Sequence, residues 1–223
     1  MTYAEKAADG HGITQALPVH QSSYVFNQIQ ELFTMASPTL SSTVNGVDVV
    51  KLKQTIGAIE ETPSLAQFRF RIENRWLGGG HNRTTVKASH GAGQDFPLRE
   101  DKFSMEADEP EILLSGDKAA NPVEHLLHAL VSCVTTTAVY HAAARHIPVE
   151  SVHSELVGDL DLRGFLGLDP DVPKGYRSVT MRMHITGDLT EEQKREVMQL
   201  GCTYSPVFNS VSPGVPISVE LVD

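Results

Sequence analysis

The sequence contains two cysteines, Cys133 and Cys202, and their thiols are the side chains best suited to redox chemistry. The first residues lack the basic segment and apolar run of a signal peptide, so we expect a cytoplasmic protein. In that reducing compartment, two such cysteines are more often free, or catalytic as a pair, than joined in a structural disulfide. The residues around each thiol therefore bear most directly on whether it is free or catalytic.

Cys133 lies in the segment PVEHLLHALVSCVTTTAVYHAAARH, residues 122–146. Pro122 suits the first turn of a helix. Apolar side chains occupy nearly every side of this helix, which is typical of a helix buried in the middle of a structure. One small layer of protein cannot easily cover such a helix, so we expect a partner subunit to supply the remaining cover.

The other elements follow from the period of the apolar residues and from capping signals. In order, we predict helices over 23–35 and after Asp48, a hairpin from a strand around 68–76 and a second over 83–89, weaker strands at 103–107 and 111–114, strands over 149–162 and 176–186, a helix starting at the Thr190–Gln193 capping box, and a last strand over 215–221. Because tandem βαβ units are absent from this order, the predicted fold class is α+β.

Composition restricts the function. The net charge of −10 argues against a nucleic-acid partner, which needs a clustered basic surface. No stretch approaches 18 uncharged apolar residues, so no membrane partner is expected. We predict an N-terminal extension over residues 1–45, with one amphipathic helix, and a single domain over residues 46–223.

Four sequence runs resemble motifs of one known family. The run NPVEHLLHALVSC, from Asn121 to Cys133, is similar to the central-helix signature of the OsmC/Ohr superfamily. GGGHNR at 78–83, VGDLD at 157–161 and SPVFNSV at 205–211 follow the family's order of motifs. The resemblance spans about residues 68–222 and leaves residues 1–45 outside.

This resemblance implies an OsmC/Ohr-like fold, with antiparallel sheets around a long buried central helix, in an intertwined homodimer. It implies active sites at the dimer interface, where a reactive cysteine reduces organic hydroperoxides. A second cysteine then closes a disulfide, and an external thiol reductant resets the pair. No bound cofactor is implied.

Carried onto this chain, the resemblance assigns four catalytic roles. Cys133 is the attacking thiol and Cys202 the resolving thiol. Peroxide cleavage needs a thiolate, and burial in an apolar helix opposes the charge. Arg83, whose guanidinium stays charged, is the expected counter-charge. Glu124 is expected to orient Arg83 by a bidentate contact.

Two positions depart from the hydroperoxide-reductase pattern. The residue after the proline is Val123 rather than glutamate, and the acid follows one position later at Glu124. A shift of one residue turns a helical side chain by about 100°. In addition, Ser205 precedes Pro206 where those enzymes carry their second cysteine, and Cys202 comes three residues earlier.

These departures keep other functions open. The same cleft could bind an apolar or acyl small molecule without turnover, and a purely structural or interaction protein is a third alternative. His125, His128 and Glu124 could suggest a metal site, but they lack a recognised zinc spacing, so no metal is expected.

Overall fold

The computed structural model describes residues 43–213. The predicted helix over 23–35, the predicted last strand over 215–221 and nearly all of the predicted extension over 1–45 lie outside the described residues. The division into an extension and a domain over 46–223 therefore stays a prediction.

The described residues form five helices and nine strands, arranged as an α+β protein with antiparallel sheets. The helices are α1 (Val49–Glu61), α2 (Pro122–Ala144), α3 (Leu162–Phe165), α4 (Glu191–Tyr204) and α5 (Pro206–Val211). The strands are β1 (Thr43–Val44), β2 (Val47–Asp48), β3 (Ile72–Gly78), β4 (His81–Val86), β5 (Ser89–Gly91), β6 (Gln94–Phe96), β7 (Ser104–Ala107), β8 (Ser151–Leu160) and β9 (Tyr176–Thr186). The predicted fold class is confirmed at this level.

Side-chain caps start the long helices where the sequence predicts. The Asp48 carboxylate accepts a hydrogen bond from the backbone of Lys51 at the start of α1. Thr190 and Gln193 form the predicted capping box of α4. These caps satisfy backbone N–H groups that the first turn of a helix leaves without partners.

Two antiparallel sheets carry most of the strand pairing. One has the strand order β3-β4-β7, and the other pairs β8 with β9 over ten registered positions. The prediction of a strand over 111–114 is wrong, because Glu111–Leu113 is a single 3₁₀ turn. Leu114 ends this turn with φ of 62°, a left-handed conformation that an extended strand does not contain.

Helix α2 packs along α4, and the two helices run in opposite directions. Val197 of α4 shares a core cluster with Ala138 and Ala142, whereas Gly201, one turn later, lies against Val134. A Cβ atom on Gly201 would stand 2.8 Å from the backbone oxygen of Val134. Glycine at this position therefore allows the close approach of the two helices.

Burial of α2 within one chain is one-sided. Its buried residues are Leu130, Val134, Ala138, Ala142 and Ala143. Leu126 and Tyr140 are exposed, so the described part of a single chain does not bury this helix on every side. The helix is also long and apolar enough to cross a membrane. Length and composition alone are weak evidence for that, since core helices meet the same condition.

The strand β3 and the residue two before it expose large apolar side chains on one face. Phe70, which precedes it, and Ile72 and Trp76 within it are 74%, 66% and 75% exposed. Contiguous exposed apolar surface of this kind marks interaction sites. It is compatible with the predicted homodimer, which stays a prediction.

Gly201→Ala is expected to lower the free energy of unfolding by about 1–3 kcal/mol, because the added methyl group overpacks the α2–α4 contact. Urea denaturation measures this change. Gly57→Ala in α1 is the matched control, because a Cβ atom there meets nothing within 4 Å. We expect it to stabilise by roughly 0.5–1 kcal/mol. Equal effects of the two substitutions would contradict the close-approach explanation.

Candidate functional site

Each cysteine is the sequence neighbour of a residue in the α2–α4 contact. Cys133 directly precedes Val134 on α2, and Cys202 directly follows Gly201 on α4. Both cysteines are free and half-buried. The structure therefore brings the neighbourhoods of two residues distant in sequence to the same level of one helix pair.

An apolar cavity of about 640 Å³ opens next to this contact. Leu126, Leu127 and Leu130 of α2 form one wall, and Cys202 and Phe208 lie on another. Strand β9 closes the remaining side with Tyr176, Ser178, Val179, Met181 and Met183. No charged side chain lines the cavity, so it suits an apolar molecule of moderate size.

Cys133 is not among the residues that line this cavity, but it lies on the same face of α2. It follows Leu126 by seven positions and Leu130 by three, and residues at these spacings share one side of a helix. The cavity wall on α2 thus continues toward Cys133. Cys202, by contrast, borders the cavity directly.

The environment of Cys202 favours its neutral form. Burial raises the pKa of the Cys202 thiol above its ordinary value. A protonated thiol is a poor nucleophile toward a peroxide. Burial thus disfavours the form of Cys202 that would attack a peroxide.

Ser205, at the position where the hydroperoxide reductases carry their second cysteine, has a structural task. Its side chain is fully buried, and its Oγ accepts a hydrogen bond of 3.1 Å from the backbone of Phe208, which caps α5. The Asn209 amide donates to the backbone oxygens of Cys202, Thr203 and Ser205. Together these bonds hold the junction of α4 and α5, and with it the backbone of Cys202. The Ser-Pro dipeptide is an N-cap signal that identifies this role from sequence.

Arg83 lies on β4 and binds Glu106 of β7. Its Nε and Nη2 atoms donate to Oε1 of Glu106 at 2.9 and 2.7 Å. His81 contacts Oε2 of the same carboxylate at 2.7 Å. These contacts hold the pKa of Glu106 below its usual value, and the contact with His81 has a larger effect than the contact with Arg83. Arg83 thus has a carboxylate partner that motif spacing did not identify.

Glu106 also connects this cluster to the first turn of α2. Its backbone oxygen accepts a hydrogen bond of 2.8 Å from Nε2 of His125. Arg83 and Glu106 are cross-strand partners in β4 and β7. This strand register is apparent only in the folded sheet, so the motifs of the sequence do not identify the pair.

The expected contact between Arg83 and Glu124 does not form within one chain over residues 43–213, where each of the two groups has another partner. The Glu124 carboxylate accepts from the backbone N–H of Asn121 at 2.9 Å, while its own N–H donates to the Asn121 side chain at 2.8 Å. Glu124 is therefore occupied by the capping box of α2. Burial raises the pKa of Tyr176, and the negative charge of Glu124 raises it further. The Tyr176 hydroxyl donates to the backbone oxygen of Val123 at 2.9 Å.

A buried carboxylate fixes the loop that leads from β7 to α2. Asp108 is fully buried and accepts hydrogen bonds from the Ser115 hydroxyl and from the backbones of Glu109 and Lys118. These donors lower the pKa of Asp108 to about 2. Ser115 in turn accepts from the backbone of Gly80 at 3.0 Å. The glycine-rich turn is thus tied to the entrance of α2.

Residues 43–213 contain no group of three or more His, Cys, Asp or Glu side chains that could hold a metal ion. His125, one of the candidates considered from the sequence, donates to Glu106 instead.

Comparison with known proteins gives one family match. The family model described as OsmC-like protein matches residues 115–220. This match contains α2, both cysteines and the whole wall of the cavity. No curated protein matches the sequence.

Several solved structures resemble the chain at low identity. An organic hydroperoxide resistance protein OsmC from Legionella pneumophila is 16% identical, covers 66% of this chain and 91% of its own, and has a TM-score of 0.49. An OsmC-like protein from Mycoplasma pneumoniae is 18% identical, with 64% and 86% covered and a TM-score of 0.49. The organic hydroperoxide resistance protein OhrB of Bacillus subtilis is 13% identical, with 65% and 90% covered and a TM-score of 0.43. The likeness to the OsmC-like family therefore stands on the match of the family model to residues 115–220.

Asp108→Asn is expected to destabilise the protein at neutral pH, because an amide group then faces donors that the carboxylate accepts from. The pKa of about 2 in the folded protein lies below the ordinary aspartate value of 3.8. The carboxylate therefore stabilises the fold above pH 4 and loses this contribution as the pH falls toward 2. Urea midpoints from pH 7 to pH 2 should converge for the two proteins as the pH falls. A constant difference at every pH would contradict this assignment.

Proposed function

We propose that this chain, which is similar to the OsmC-like family over residues 115–220, is a thiol-dependent peroxidase that reduces organic hydroperoxides. Cys133 is the attacking thiol and Cys202 the resolving thiol. Arg83 supplies the positive charge that stabilises the Cys133 thiolate. The protein acts as a cytoplasmic homodimer and takes electrons from an external thiol reductant.

The proposed reaction has three steps. The Cys133 thiolate attacks the terminal peroxide oxygen, so that the O–O bond breaks and a sulfenic acid and an alcohol form, the alkoxide taking up one proton. The Cys202 thiol then displaces water from the sulfenic acid and a disulfide forms. A dithiol reductant exchanges with this disulfide and restores both thiols.

One observation carries the proposal: an uncharged, largely apolar cavity lies at the contact that brings the surroundings of both cysteines together. Its α2 wall continues along the helix face of Cys133, and its α4 wall includes Cys202. A hydroperoxide with an apolar substituent fits this surface better than hydrogen peroxide does, because only the former buries apolar area there.

The order of the two thiols follows from their surroundings. Burial raises the pKa of Cys202 and disfavours its thiolate, and the place of Cys133 in the central-helix motif supports it as the thiol that attacks. Arg83 is 52% exposed in one chain even though Glu106 binds it, so its guanidinium retains surface for a further partner. We place that partner, the Cys133 thiolate, across the subunit interface of the proposed dimer.

A second candidate function is binding of an apolar or acyl small molecule without turnover. The observation that favours it is that Cys202, and not Cys133, lines the cavity. In that case the cysteines would be wall residues, and the affinity for an apolar ligand would not depend on thiol reduction.

The peroxidase proposal predicts that Cys133→Ser abolishes consumption of cumene hydroperoxide with dithiothreitol as reductant, a loss of at least about a hundredfold because the nucleophile is removed. Cys202→Ser should keep the first turnover and slow the later ones. Hydrogen peroxide serves as the comparison substrate and should react more slowly with the wild type. No turnover by the wild type above that of Cys133→Ser, in protein shown to be folded and reduced, would support the binding function instead.

The proposed role of Glu106 predicts that Glu106→Gln slows alkylation of Cys133 by iodoacetamide at pH 7 by about three- to tenfold, because Arg83 is no longer held and the thiolate fraction falls. Glu124→Gln is the matched control. Glutamine also serves in a capping box, so this variant should react at the wild-type rate. A slower reaction in Glu124→Gln alone would return the orienting role to Glu124.

A further inference from the structure

Three methionines converge on the apolar cavity. Met181 and Met183 are alternate residues of β9 and so lie on the same face of that strand. Met198 reaches the cavity from α4. Among the described residues 43–213 the only other methionine is Met105, on β7, which is not part of the cavity wall.

Two of these methionines separate the cavity from a polar pocket. Met183 and Met198 also line a neighbouring pocket of about 310 Å³, whose other walls include Glu191, Lys194 and Arg195. Their thioethers therefore stand between an apolar space and a group of charged side chains. Methionine suits such a wall because its side chain is flexible and its sulfur polarisable.

We propose that Met183 and Met198 are an oxidative modification site, at which organic hydroperoxides bound in the cavity convert the thioethers to sulfoxides. This inference rests on the proposed function in one respect, namely that the cavity admits organic hydroperoxides.

The reaction needs no further reactant. The thioether sulfur attacks the terminal peroxide oxygen, an S–O bond forms and the O–O bond breaks. The proton of the terminal hydroxyl moves to the departing alkoxide, which leaves as the alcohol. Sulfur is oxidised by two electrons and the hydroperoxide is reduced by two.

Oxidation changes which space the side chains of Met183 and Met198 favour, the apolar cavity or the adjoining polar pocket. A sulfoxide oxygen is a strong hydrogen-bond acceptor, and an acceptor without a partner is unfavourable in an apolar cavity. Lys194 and Arg195 offer donors in the adjoining pocket. The oxidised side chains turn toward these donors, the wall opens, and the cavity loses affinity for apolar molecules. High concentrations of hydroperoxide thus weaken binding of the hydroperoxide itself.

The test uses the full chain with Cys133→Ser and Cys202→Ser, so that no thiol consumes the oxidant. The protein is treated with cumene hydroperoxide or hydrogen peroxide, and sulfoxide at each methionine is measured by peptide mass spectrometry. Met105 is the internal control, because it is 45% exposed and Met198 is 41% exposed.

With cumene hydroperoxide, we expect Met183 and Met198 to oxidise about tenfold faster than Met105, because binding raises the local oxidant concentration. With hydrogen peroxide, Met198 and Met105 should oxidise at rates within about threefold of each other, since exposure then decides. Addition of 2-phenyl-2-propanol, the alcohol product, should protect Met183 and Met198 and leave Met105 unchanged.

The outcomes separate this inference from the proposed function. If the wild type consumes cumene hydroperoxide while the thiol-free variant oxidises its methionines by exposure alone, the modification site is overturned and the peroxidase stands. If the selective oxidation occurs but the wild type shows no thiol-dependent turnover, the modification site stands and the peroxidase falls. Oxidation by exposure alone together with no turnover overturns both.

Discussion

The close contact between α2 and α4 at Val134 and Gly201 determines the arrangement of the proposed site. Because Gly201 has no side chain, the two helix backbones approach closely enough for the neighbours of Cys133 and Cys202 to share one level. The same contact sets the distance between the leucine wall on α2 and the wall on α4. The position of the cavity and of both thiols thus follows from one packing constraint.

Electrostatic contacts connect the hairpin to this helix pair. Glu106 holds Arg83 and His81 through its carboxylate and His125 through its backbone oxygen. Asp108, two residues later, organises the loop that leads to α2. A single short strand and the loop after it therefore link the glycine-rich turn, the arginine and the first turn of the central helix.

The distribution of apolar surface is the observation that favours a second copy of the chain. Side chains of α2 and β3 that a folded domain would bury remain exposed, Leu126 and Trp76 among them. Exposed apolar area of this extent is unfavourable in water. A second copy of the chain is the proposed cover, and the proposed contact between Arg83 and the Cys133 thiolate lies at the same interface.

Local sequence patterns by themselves determined the helix starts, most strands and the candidate thiols. Asp48 and the Thr190–Gln193 box cap the predicted helices because such caps act on backbone groups only a few residues away. The strand predicted at 111–114 failed because a short run of apolar residues does not distinguish a strand from a turn.

Only the tertiary structure decided which groups meet. Glu124 was expected to hold Arg83, yet within one chain it caps its own helix, and Arg83 meets Glu106 through the register of β4 and β7. Likewise the sequence provides Gly201 and Val134, but only packing places them in contact. The physical reason is range: caps and periodicity act within one or two turns of chain, whereas ion pairs, helix contacts and cavities depend on residues brought together from distant segments.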